Sequence, residues 1–292
     1  MSLHIIDPPP IPRRLSPRPS IALALGGGGA RGLAHIPVLE ALDELGLKPV
    51  MISGTSMGAI IGAAYAAGIS GQTIRKHILS LLRNRSDVMA RLLKARVGRF
   101  ADLLAGGMGN PVMIDAEVFL DHFWPHDVPD HFEQLQIPFI AVATDFLGRK
   151  EAAISTGLLA PAVAGSMAIP GLIKPVQANG MILVDGGAVN PLPYDHLVGK
   201  AEIVIACDVN GGPVADKPGL PKPFEAMFGS AQIMSASITN QMLRFNAPDI
   251  LVRPPIDSFR VLDFFKARAI LEAAEGVKDE IKRGLEARLA LG

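Results

Sequence analysis

The feature that most restricts the fold of this 292-residue chain lies between Val50 and Gly68, where an apolar run, Val50 to Ile52, leads into Gly54-Thr55-Ser56-Met57-Gly58 and then AIIGAAYAAG. The residues after Gly58 are small and apolar on every side, so the helix they imply must be buried. Strand, sharp glycine-flanked turn and buried helix follow one another directly. A similar unit lies upstream: Ile21 to Leu25 stops at four glycines, Gly26 to Gly29, and Ile36 to Leu47 then places Val38, Leu39, Leu42 and Leu45 at helical spacing. Further apolar runs at 139–143, 182–184, 203–206 and 250–252 alternate with helical patterns, and 264–289 predicts one last helix with Ile270, Ala274, Val277, Ile281, Leu285 and Leu289 on its core stripe. Alternation of this kind predicts an α/β fold, a mainly parallel central sheet covered by helices on both faces.

Hydrophobic residues make up 49% of the chain, enough for one large core, and residues 20–290 are expected to form a single domain. Residues 1–19 read as a Pro-rich tail outside it, with six prolines between positions 8 and 19; Pro9 and Pro12 also give a PxxP spacing. Two uncharged stretches, 49–74 and 152–173, are long enough to span a bilayer, but the first contains Gly54, Gly58 and Gly68 and the second Pro161 and Pro170. Buried strand–turn–helix is the reading for both. Lys plus Arg and Asp plus Glu each number 28, so no global field exists to hold a polyanion, and nucleic acid is excluded as a partner. The one cysteine, Cys207, cannot form an internal disulfide, and the seven histidines show no zinc-ligand spacing. No apolar stretch of signal-peptide length opens the chain, which predicts a cytoplasmic protein. Between Arg75 and Asp102, eight basic residues (Arg75, Lys76, Arg83, Arg85, Arg91, Lys94, Arg96, Arg99) face two acidic ones (Asp87, Asp102), with leucines between them. This segment is either a solvated helical face or a peripheral contact with anionic lipid head groups.

Gly54-Thr55-Ser56-Met57-Gly58 satisfies G-x-S-x-G in the strand-to-helix context that the motif requires, which makes Ser56 a candidate nucleophile. Gly54 and Gly58 keep side chains out of the tight turn, and the helix that follows points its positive end at the site. The glycine loop has two readings. Gly27, Gly29 and Gly32 fit the dinucleotide fingerprint G-x-G-x-x-G, but the acid expected about twenty residues on is replaced by Ile52, Ser53 and Gly54. Alternatively the amides of Gly27, Gly28 and Gly29 form an oxyanion hole. A Ser–acid–His order would need a late histidine, yet none follows His196. Val184-Asp185-Gly186-Gly187 puts an aspartate at a strand end, 129 residues after Ser56, where it is equally a turn residue or a catalytic base.

GGGARG, GTSMG and DGG in this order resemble the patatin-like phospholipase family, in particular its compact bacterial members. Ala143-Thr144-Asp145, the stretch 165–170 and Val261-Leu262-Asp263-Phe264 are similar to it as well, so the resemblance covers roughly Ser20 to Leu289. It implies an α/β-hydrolase-related three-layer sandwich and a lipase, phospholipase A or lysophospholipase activity that cleaves carboxylic esters of lipids. It further implies a Ser–Asp dyad without histidine, with Ser56 as nucleophile, Asp185 as base within the Gly186-Gly187 motif, Gly27, Gly28 and Gly29 as oxyanion donors, and Arg31 and Gly32 supporting the loop. No metal and no cofactor are expected. This chain departs from the family pattern at Gly187, where many members have alanine, and in the extra Gly26. Two other readings stay open: a member that keeps the fold but binds an acyl ligand or a partner without turnover, and an NAD(P)-binding oxidoreductase built on the same glycines.

Overall fold

The computed structural model describes residues 15–16, 19–84, 86, 88, 90, 96–97, 113–214 and 220–291. Most of the Pro-rich tail, and Arg85, Asp87, Arg91, Lys94, Arg99 and Asp102 of the basic segment, lie outside the described residues, as does the Arg96 side chain. In chain order the strands are β1 (Ile21–Leu25), β2 (Met51–Thr55), β3 (Arg96–Val97), β4 (Met113–Ile114), β5 (Phe139–Asp145), β6 (Lys150–Ile154), β7 (Val176–Ala178), β8 (Met181–Asp185), β9 (Ile203–Cys207) and β10 (Ile250–Val252). The helices are α1 (His35–Glu44), α2 (Met57–Ala66), α3 (Gly71–Leu81), α4 (Ala116–Phe123), α5 (Leu159–Ser166), α6 (Pro223–Phe245), α7 (Ala267–Ala273) and α8 (Val277–Leu291).

An eight-stranded sheet runs β10-β9-β1-β2-β5-β8-β7, with β6 on β5, while β3 and β4 form a separate pair. The pairs from β10 through β9, β1 and β2 to β5 are all parallel. The sheet is therefore mainly parallel, as the alternation predicts, with an antiparallel wing of β6, β7 and β8.

Strand β5 organises the junction between the two parts. On one edge its residues Phe139 to Val142 pair with Ile52 to Thr55 of β2. The next residues, Ala143 to Asp145, pair with Asp185 to Leu183 of β8. Because β6 pairs with Ala141 to Asp145, it takes the other edge, so β2 and β8 share one edge and run toward each other. Their C-terminal ends meet at the Val142–Ala143 peptide.

Side chains sort to the two sheet faces by the strand period of two. Ile21, Leu23, Leu25, Ile203, Ile205 and Cys207 enter the larger core with α1, α2, α7 and α8, whereas Ala22, Ala24, Val204 and Ala206 pack against Leu192, Tyr194 and Leu197 on the other side. Met242 and Leu243 of α6 cover that second cluster. The predicted final helix is two helices, because the chain breaks at Ala274-Glu275-Gly276, yet its stripe from Ile270 to Leu285 is buried as expected. Leu289 is the exception and is half exposed.

Helix α2 lies so close to β1 that a Cβ at Gly58 would come 2.1 Å from the Leu25 carbonyl oxygen, an atom that cannot move without breaking the sheet. Gly58→Ala is therefore expected to lower the unfolding free energy by about 1–3 kcal/mol in a denaturant melt. Gly276→Ala, where a Cβ meets nothing within 4 Å, should change it far less.

Candidate active site

Ser56 sits between β2 and α2 with φ 54 and ψ −119, a left-handed conformation that non-glycine residues rarely adopt. Gly54 allows the tight return of the chain, since a Cβ there would lie 2.5 Å from the Gly58 carbonyl oxygen. The Ser56 amide donates to Ser166 Oγ at 2.8 Å, and that hydroxyl donates to the Val142 carbonyl at 2.5 Å. The strained residue is thus fixed from the junction where β2 and β8 meet.

Asp185 ends β8 and faces Ser56. Its Oδ1 accepts from the Gly187 amide at 2.8 Å, while Oδ2 accepts from Ser56 Oγ at 2.7 Å. One carboxylate oxygen is held by the backbone and the other is presented to the hydroxyl. Thr144 Oγ1 donates to the Asp185 carbonyl at 2.8 Å, and the Asp185 amide donates to Ala168. Gly186 must lack a side chain because a Cβ would stand 2.2 Å from the Val142 oxygen. The residue as a whole is only half-buried, but burial of the carboxyl dominates its ionisation. It pushes the Asp185 pKa from 3.8 up to about 6, against the hydrogen bonds from Gly187 and Ser56 that favour the charged form.

The glycine loop closes a third side of the same site. A Cβ on Gly27 would approach the Ser56 Cβ to 3.3 Å. The Gly27 amide, however, donates to the Pro191 carbonyl at 2.9 Å, so it is committed within the fold and is not the free donor expected of it. Among the described residues no acceptor is recorded for the Gly28 and Gly29 amides. These two glycines back onto Val209 and Val261, whose carbonyl oxygens would lie 2.6 and 2.3 Å from an added Cβ. Their lack of a side chain thus has a packing cause.

Arg31 is buried, at 1% exposure, and does tie the loop down. Its Nη2 donates to Gln232 Oε1 of α6 at 2.8 Å and its Nη1 to the Gly212 carbonyl at 3.4 Å. Burial lowers its pKa, while Asp257 and Asp208 act in the opposite direction. Gly32 permits contact with the residue after Ser56, since a Cβ would sit 2.4 Å from Met57 Cγ. His35 is fully buried beside this loop and shares a 2.8 Å hydrogen bond with the Gly26 carbonyl; burial pushes its pKa down to about 4, so it is neutral and structural.

Ser56, Asp185, the glycine loop and their flanking glycines therefore converge as expected from the sequence. Sequence reasoning assigns no role to Ser166 or Thr144, although both fall in the additional stretches that carry the family resemblance. It also misses Asn190, Gln232 and Ser235, the last of which donates to the Gly187 carbonyl at 2.8 Å. Away from Ser56, Glu151, Asp195 and His196 bring ligand-type atoms within 4.8 Å of one another.

A family model described as patatin-like phospholipase matches residues 23–198, and the chain belongs to that family. It is 40% identical over 208 residues to an NTE family protein of Mycobacterium tuberculosis, covering 70% of this chain and 53% of the relative. It is 30% identical over 273 residues to patatin-like phospholipase domain-containing protein 6 of Homo sapiens, covering 85% of this chain and 19% of the relative. The chain thus spans about half the length of the mycobacterial relative and a fifth of the human one. VipD from Legionella pneumophila superposes with a TM-score of 0.47 at 15% identity, over 92% of this chain and 67% of that one.

The raised Asp185 pKa has a consequence for stability. A carboxyl titrating near 6 when folded and near 3.8 when unfolded gives up protons more readily on unfolding, so folding is penalised above about 6 and relieved as pH falls toward 3.8. Asp185→Asn should raise the melting temperature at pH 7–8, with the gain shrinking through this window and vanishing below it. A constant gain at all pH values would contradict the assignment.

Proposed function

We propose that this protein is a serine acyl-hydrolase that cleaves carboxylic esters of lipids through an acyl-enzyme on Ser56. The observation that carries the reading is the 2.7 Å contact from Ser56 Oγ to Asp185 Oδ2, made by a serine held in a strained turn. Asp185 accepts the Oγ proton as the hydroxyl attacks the ester carbonyl, then returns it to the departing alcohol. A water molecule follows the same route in reverse and releases the acid. The Gly28 and Gly29 amides, aided by the N-terminal end of α2, stabilise the oxyanion formed in each step. A carboxyl with a pKa of about 6 is a stronger base than free aspartate, whose pKa is about 3.9, yet it is ionised near neutral pH. No step calls for a metal or an organic cofactor.

The lipid substrate class follows from membership of a family described as patatin-like phospholipase. Phospholipids, lysophospholipids and neutral lipids all present the ester that this chemistry requires. Among the described residues no helix is long and apolar enough to cross a membrane, so contact with a lipid phase is proposed to be peripheral. The basic segment 75–102 is the proposed contact, less Arg75, whose guanidinium is already paired with Glu40 and Glu275.

Ser56→Ala and Asp185→Asn should each abolish turnover of a short-chain nitrophenyl ester in folded protein, and a fluorophosphonate should label Ser56. Because the base must be ionised, kcat/KM should fall as pH drops below about 6, and EDTA should have no effect. Full activity in either variant refutes the dyad; labelling without turnover of any ester in a lipid panel would indicate a fold retained for binding.

Charge reversal at Arg91, Lys94 and Arg96 should weaken co-sedimentation with anionic vesicles at low salt while sparing hydrolysis of the soluble ester. Unchanged sedimentation would remove the segment as a lipid contact.

A further inference from the structure

The segment Asn190-Pro191-Leu192-Pro193 runs beneath the site, and its backbone touches each of the three loops that build it. The Asn190 carbonyl accepts from Thr55 Oγ1 at 2.8 Å, next to the nucleophile. The Pro191 carbonyl accepts from the Gly27 amide at 2.9 Å, and the Asn190 amide donates to the Gly186 carbonyl, also at 2.9 Å. The Pro193 carbonyl accepts from Ser53 Oγ of β2 at 2.7 Å. One short strap thus joins the nucleophile strand, the base loop and the glycine loop. Its two prolines fix φ and stiffen it, so a displacement at one end is transmitted to the loops.

We infer that Asn190 is a positioning residue, whose carboxamide pegs this strap to Glu151 and Asp195 and thereby sets the mutual placement of Ser56, Asp185 and the glycine loop. The inference rests on the proposed hydrolase reading. Asn190 is 2% exposed, and its Nδ2 donates to Asp195 Oδ1 at 2.8 Å and to Glu151 Oε2 at 3.3 Å. The two acceptors come from separate elements, Glu151 from β6 and Asp195 from the 3-10 turn Tyr194–Leu197. His196 binds the other Glu151 oxygen and helps to keep that carboxylate ionised. The Asn190 Oδ1 atom is buried without a partner, a cost that a residue serving only to fill space would not impose.

Glu151, Asp195 and His196 have the separation of a small metal cluster. Their inward atoms, however, are already engaged with each other, since Nδ2 lies between the two carboxylates and His196 occupies the remaining Glu151 oxygen. A hydrogen-bonded peg accounts for every one of these contacts, and a cation would have to displace them.

The test uses Asn190→Ala, and Asn190→Asp, which sets a third carboxylate against Glu151 and Asp195. Both are expected to lower kcat for a soluble nitrophenyl ester by roughly tenfold to a hundredfold while KM stays within about twofold, because geometry rather than binding is lost. Fluorophosphonate labelling should slow by the same factor. The Asp185 titration, followed by carboxyl 13C NMR and assigned by its absence in Asp185→Asn, should move down from about 6 as water reaches the loosened loop. Leu285→Ala, a core change remote from the site, should lower the melting temperature without moving kcat or that midpoint. Wild-type kcat and an unmoved midpoint in Asn190→Ala would overturn the inference, as would an EDTA-treated wild-type protein that reproduces the defect. If Asn190→Ala does not fold, the pair Glu151→Gln and Asp195→Asn, which weakens both acceptors at constant shape, decides on the same readouts. A wild-type protein that hydrolyses no ester would sink the hydrolase reading, whereas the NMR midpoint would still decide the role of Asn190.

Discussion

The site depends on one constraint in the sheet: two strands that run in opposite directions share a single edge of β5 and stop against each other. Thr55 pairs with Val142 and Asp185 pairs with Ala143, consecutive positions on the same strand. Neither chain end can continue, so each must turn out of the sheet at that point. What leaves β2 is Ser56 in a left-handed turn, and what leaves β8 is Asp185 capping the turn at Gly186. Their contact is fixed by backbone pairing that neither side chain has to provide.

This arrangement explains why so much of the surrounding sequence lacks bulk. Gly54, Gly58 and Gly186 each stand where a Cβ would strike a backbone carbonyl, of α2, of β1 and of the junction in β5 respectively. The buried hydroxyls there are few, and each is satisfied. Ser53, Thr55, Thr144 and Ser166 are buried, and every one donates to a carbonyl of a neighbouring segment. Buried hydroxyls that pair in this way cost little, whereas the same groups left unpaired would each carry the full desolvation penalty. Two unfavourable features, a strained serine and a carboxyl whose ionisation burial opposes, sit at the site itself, where such strain is tolerated because the surroundings over-determine it.

How much of this was legible in the chain varies with the physical origin of each element. Strands buried on both faces, β1 and β9, appear as unbroken apolar runs and can be bounded almost to the residue, as can the short edge strand β10. Strand β2 extends beyond its apolar run because Ser53, Gly54 and Thr55 are polar or small, and their place in the sheet depends on partners at 190 and 193 that no local pattern shows. β6 is masked by its alanines. β8 shows as the apolar run 182–184, whereas three-residue β7 was not read from the sequence; Asn179-Gly180 between them supplies the two positive-φ positions, 50 and 73, that a two-residue turn requires. The serine elbow and glycine loop were legible because their chemistry is local. The pairing of Ser56 with Asp185 was not, since it arises from register on a third strand, and only family resemblance pointed to it.

In the proposed dyad an aspartate stands where a histidine is the commoner partner of a serine. A histidine is basic enough near neutral pH in water, whereas a carboxylate needs help from its surroundings. Here burial raises the carboxyl toward neutrality while the Gly187 amide holds one oxygen, leaving a single lone-pair direction aimed at Ser56 Oγ. In the proposed mechanism a base fixed in this way cannot swing between roles as an imidazole can, so its placement must serve both acylation and deacylation. Rigidity then becomes a requirement of the proposed chemistry, and short ties from the strap at 190–193, from Thr144 and from Ala168 hold the two residues.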